Sequence, residues 1–170
     1  MTAVTTAWLS AILIGLTPVQ ARPDFSGMWT LAKDRSSQTQ KNAVTVAVAG
    51  LLGEKFTAVQ DARTLTLDIT AAVVGRPVRA VYNLDGSESR NLNPSMVAGV
   101  ADEVIFSRVS WDGDKLVILT RGTMLVNGKP QESKRVMWID SEGQLTIERS
   151  SEGAVTTRTV YRRTAGPLGL

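Results

Sequence analysis

Two pairs of neighbouring carboxylates, Asp102 with Glu103 and Asp112 with Asp114, have the widest range of chemistry open to them in this chain. An acid–base pair of the glycosidase kind needs two carboxyl groups about 5 to 10 Å apart across a cleft, one with its pKa raised by burial. Neighbouring acids in a turn instead stay solvated and accept hydrogen bonds from the local backbone. Asp112-Gly113-Asp114 also begins like a calcium loop, but the further oxygen ligands and the terminal glutamate are missing. The chain contains no cysteine and no histidine. That removes thiol nucleophiles, disulfides, Ser-His-Asp triads and His- or Cys-ligated metals. No catalytic residue, metal or cofactor is expected; binding is the leading function class, and the carboxylates are the remaining candidates for chemistry.

Residues 1–21 carry no charged side chain. An apolar run from Ala7 to Leu16 is followed by Thr17-Pro18 and by the small or apolar end Val19-Gln20-Ala21, the pattern of a secretory signal peptide cleaved after Ala21. The run is about half of the roughly 20 residues that span a bilayer, so no stable membrane span is expected. The expected compartment is the periplasm or the medium. The remaining residues, 22–170, have the length of one domain.

Nineteen basic and sixteen acidic residues give a net charge of +3. The cations are spread along the sequence, so the clustered basic stripe with aromatic platforms that nucleic acid calls for is not visible. A mixed-charge solvated surface is the expectation, without a nucleic-acid partner.

Short alternating segments separated by turn residues predict an antiparallel sheet. Strands are expected over 25–31, 55–60, 64–70, 76–84, 103–111, 115–124, 132–139, 144–150 and 154–162. In the third, Leu65, Leu67 and Ile69 alternate with Thr64, Thr66, Asp68 and Thr70, as a strand with one buried face requires. Asp112-Gly113-Asp114 marks a tight hairpin. Asn42 to Glu54 reads as a short helix or lid after the first strand, although its β-branched alternation also suits a strand. Gly86 to Asp102 reads as a long loop with one helical turn near Ser95 to Val100, and 165–170 as a frayed tail.

Three segments, Asp24-Phe25-Ser26-Gly27-Met28-Trp29-Thr30-Leu31, Val81-Tyr82-Asn83-Leu84-Asp85-Gly86-Ser87-Glu88 and Trp111-Asp112-Gly113-Asp114-Lys115-Leu116-Val117-Ile118, resemble exported bacterial lipocalin-like proteins, which are calycin-type β-barrels. The resemblance implies an all-β fold: a single antiparallel up-and-down barrel of eight or nine strands over residues 22–164. It further implies that Trp29, preceded by Gly27, closes one barrel end under an arginine from the last strand, for which Arg158 is chosen over Arg162 and Arg163. Barrel closure is also favoured physically, because an open meander of this length would leave two exposed edges.

A hollow barrel implies a small, mainly apolar ligand. Phe56, Tyr82, Phe106 and Trp138, large side chains on four strands, are the expected lining. The alternative is a filled core whose outer face or loops bind another envelope protein, since barrels of about eight strands occur in both forms.

Overall fold

The structure, a computed structural model, describes residues 22–38, 52–69, 76–95, 99–126, 129–151 and 154–164. The expected signal peptide, most of the expected lid, the centre of the expected helical turn and the expected tail lie outside these residues. Among the described residues there is no helix, and so none long and apolar enough to cross a membrane.

Among the described residues eleven strands are formed: β1 (Gly27–Leu31), β2 (Ser37–Gln38), β3 (Lys55–Gln60), β4 (Thr64–Ile69), β5 (Val78–Asn83), β6 (Ser89–Asn93), β7 (Glu103–Asp112), β8 (Lys115–Val126), β9 (Lys129–Ile139), β10 (Leu145–Ser151) and β11 (Ala154–Thr164). Ten of them follow one another in the order β5-β4-β3-β1-β11-β10-β9-β8-β7-β6, and the two-residue β2 lies beside β11. Every pairing is antiparallel. The expected eight or nine strands are thus corrected to ten around a nearly closed barrel. The strand that sequence reading passed over is β6, which lies within the expected loop 86–102. Its inward residues are Ser89, Asn91 and Asn93, so it has no apolar alternation to betray it.

That polar strand brings the sheet's last edge up to its first. Between β5 and β6 side chains complete the wall: Asn91 Oδ1 accepts from the Val81 N–H at 2.8 Å, and Asn91 Nδ2 donates to the Val81 carbonyl at 2.9 Å. One level away, Ser89 Oγ accepts from the Asn83 N–H at 2.8 Å, and Asn83 Nδ2 donates to the Glu88 carbonyl at 3.2 Å. The Asn91 amide reproduces the donor and acceptor of a neighbouring peptide group. Edge groups that would otherwise face water or a foreign strand are satisfied by it. Asn91 and Ser89 are both buried.

The acid-bearing turns are structural. Asp61 Oδ1 accepts from the backbone N–H groups of Arg63 and Thr64, both at 2.7 Å, and Asp140 Oδ1 accepts from those of Glu142 and Gln144. The backbone donors hold the Asp61 carboxyl below the ordinary aspartate range. In the hairpin between β7 and β8, Gly113 takes φ 61°, a left-handed conformation that glycine adopts without strain.

Candidate functional site

Strand alternation sorts the side chains into an interior and an outer face, and the interior differs from one end of the barrel to the other. At the end that carries the turns 61–63, 112–114 and 140–143, large apolar groups fill it. Phe25, Trp29, Phe56, Leu65, Leu67, Leu116, Ile118, Met137 and Leu145 are all nearly inaccessible to solvent and belong to one cluster. Trp29 donates its indole N–H to the Phe25 carbonyl at 2.9 Å, and Phe25 stacks on Trp111 with ring centroids 6.2 Å apart.

An arginine of β11 does lie over Trp29, and it is Arg163, with its guanidinium carbon 4.9 Å from the ring centroid. Arg163 is the direct cross-strand partner of Trp29, whereas Arg158 has the opposite parity and faces Glu148 across the outer surface. This corrects the choice of Arg158. Gly27, at φ 137°, takes a conformation rare for other residues, and a Cβ there would approach the Arg163 stem at 3.4 Å. That is ordinary contact distance, so it is the backbone angle that calls for glycine; Arg163 donates to the Asp24 carbonyl at 3.1 Å. The cation-π contact contributes about 0.5 to 1 kcal/mol at such an exposed site.

The other end holds a cavity of about 130 Å³. Ile69, Val78 and Ala80 from β4 and β5 form an apolar wall, and Arg135 from β9 and Arg149 from β10 a cationic one. These arginines are directly opposite each other in the β9–β10 register. Tyr82 lies between the walls, and Arg135 Nη1 donates to its hydroxyl at 3.2 Å. Burial, with help from the Arg135 charge, holds the Arg149 guanidinium below its ordinary pKa. Burial also pushes the Tyr161 phenol, which donates to the Gly53 carbonyl, up to about 12. Across the cavity Glu103 accepts from Asn93 Nδ2 at 3.2 Å. Its carboxylate overlies Gly122, where a Cβ would come within 2.4 Å of Glu103 Oε1.

Of the four residues expected to line a pocket, Tyr82 alone lines this cavity. Phe56 points inward into the packed cluster, edge-on to Tyr161 at 5.0 Å, and does not line the cavity. Phe106 and Trp138 are on the outer face, which corrects their expected place. Phe106 alternates with the buried Ser107, and its cross-strand partner Arg121 is exposed. Trp138 alternates with the buried Met137 and lies beneath Lys115 and Arg158, at 4.9 and 5.7 Å from its centroid.

The carboxylate pairs form no acid–base dyad. Asp102 accepts from Arg76 and from the Ser95 N–H, which hold its carboxyl below the ordinary range, opposite to a general acid. Asp112 and Asp114 are exposed. Among the described residues, no group of three or more acidic side chains is arranged to hold a metal ion.

Arg135 and Arg149 went unrecognised because Val136-Met137-Trp138-Ile139 offers apolar residues in both parities. The parity could have been taken from β7, where Val109 and Trp111 alternate with Arg108 and Ser110, and carried along the meander to the arginines. The chain matches no protein-family model and no curated protein sequence.

Proposed function

We propose that this is an exported single-domain barrel, lipocalin-like in build, that binds one small molecule in its open end. The observation carrying this reading is the division of the interior: one end packed solid, the other holding a cavity with an apolar wall and convergent polar groups. That combination is what a small-molecule site requires. A cavity of about 130 Å³ is close to the roughly 150 Å³ that admits one benzene ring. It suits a ring or the end group of a larger molecule. The body of the ligand rests against Ile69, Val78 and Ala80.

Native mass spectrometry of the protein purified from its own host is the test. A bound small molecule is expected, and Ala80→Phe, which fills the cavity from its apolar wall, is expected to abolish the adduct while the thermal midpoint is retained. An adduct that survives Ala80→Phe, or none in either protein, rejects the cavity reading. Tryptophan emission is a poor reporter here, since Trp29 and Trp111 lie in the packed end and Trp138 on the outer face.

A second reading, an interaction module, is favoured by one observation. Register sets Phe106 between Arg90 and Arg121, and Leu119 between Arg108 and Lys134, on the outer face of β6 to β9. Leu119 and Leu92 are more than half exposed there. This patch is the binding surface if the cavity proves empty.

Export rests on the apolar run Ala7 to Leu16 and the Val19-Gln20-Ala21 ending. Pro23 and Phe25 are already tied to Gln60, which donates to the Pro23 carbonyl and accepts from the Phe25 N–H, each at 3.1 Å. Protein recovered from the cell envelope is expected to begin at Arg22 by N-terminal mass analysis. An intact Met1 in a cytoplasmic fraction would refute export.

A further inference from the structure

The geometry points to a carboxylate as the group this cavity recognises, held between the guanidinium groups of Arg135 and Arg149 with Tyr82 alongside. The inference rests on the cavity-binding reading and adds the chemical class of the ligand. Its first support is the β9–β10 register. Arg135 and Arg149 are direct cross-strand partners on the inner face, so two guanidinium groups face the same cavity. An anion between the two side chains would gain an attraction to each. Lower local polarity strengthens both effects, and the depressed basicity of Arg149 is its counterpart.

Chemistry narrows the class further. A guanidinium presents parallel N–H donors in a planar fork that matches the two oxygens of a carboxylate. The Tyr82 hydroxyl accepts from Arg135, which leaves its own proton for an anionic oxygen. Glu103 and Glu132 line the same cavity, so its charged lining is balanced overall. A multiply charged phosphate would meet more repulsion from those acids than a monoanion directed at the arginines by its apolar body. The apolar wall on β4 and β5 completes the requirement: an acid with a small hydrocarbon or aromatic body.

Amide chemical-shift titrations of the protein test this with acetate and benzoate, their neutral isosteres acetamide and benzamide, and inorganic phosphate, all at fixed ionic strength. Benzoate or acetate is expected to shift cavity amides, such as those of Thr120 and Ser133, at least tenfold more tightly than its amide. Arg149→Met is expected to weaken carboxylate binding tenfold or more, and Arg158→Met, on the outer face, to leave it unchanged. Should Arg149→Met not fold, Arg149→Lys keeps the charge without the fork and is expected to weaken binding severalfold. Equal binding of acid and amide overturns the carboxylate inference and leaves the cavity reading standing. Tighter binding of phosphate also overturns it. No cavity shifts with any probe overturns both readings, and shifts confined to outer-face amides show an adventitious ion only.

Discussion

Trp29→Ala is expected to cost about 3 to 5 kcal/mol of folding stability, the range for removing a fully buried large aromatic side chain. Trp29 has no solvent-accessible surface and packs in the main core cluster. Its truncation leaves a cavity, removes the hydrogen bond to the Phe25 carbonyl, and strips the apolar floor from beneath Arg163. Against a total stability of about 5 to 15 kcal/mol for a domain, the loss takes a large share. Trp111→Ala is expected to cost less. Trp111 is partly exposed, and its buried indole N–H has no partner among the described residues, so truncation also removes an unsatisfied donor. Equilibrium denaturation of the two variants with matching slopes gives the comparison. If Trp111→Ala proves the costlier, Trp29 is not the residue that closes this end.

The second large effect is expected at the seam. Asn91→Ala removes both hydrogen bonds to Val81 and leaves a peptide donor and acceptor without partners. Each such group costs about 1 to 3 kcal/mol when buried, and partial access of water to Val81 brings the expected total to about 2 to 3 kcal/mol. Hydrogen exchange at Val81 and Asn83 should accelerate while β7 and β8 keep their protection. Asn91→Asp is expected to be worse than alanine at neutral pH, because a carboxylate cannot donate to the Val81 carbonyl and is set against it. Its neutral acid can donate, so the folded pKa of the introduced group is raised. Stability of that variant is therefore present when the group is protonated and lost as pH rises through the raised pKa. Unchanged exchange at Val81 in Asn91→Ala would show that the seam is held by something else.

Where inward residues are apolar, the strands were legible in the sequence. Leu65, Leu67 and Ile69 define β4 to within one residue, and Asp112-Gly113 places the β7–β8 hairpin. The missed strand and the missed cationic lining share one cause. β6 turns hydrogen-bonding side chains inward, and β9 and β10 carry arginines inside, so alternation of hydrophobicity vanishes where the cavity and seam are built. A sequence pattern reports burial against apolar neighbours, and these residues are buried against polar ones. The tryptophan plug was legible as Gly27 before Trp29, but its arginine was not. Choosing among Arg158, Arg162 and Arg163 needs the register of β1 on β11, which joins residues at opposite ends of the chain.

A wall joined by side chains has an adjustable circumference. In a ladder of peptide groups the spacing between neighbouring strands is fixed at about 4.7 to 4.9 Å. At the β5–β6 seam it is set by the reach of Asn91 and Ser89, residues whose length substitution can alter. Asn91→Gln would keep the same amide and lengthen its arm by roughly 1.5 Å, one carbon–carbon bond. With the strand number and every other pairing unchanged, the circumference of the open end would grow by that increment and its diameter by about a third of it. The seam is the gauge by which this fold can be resized.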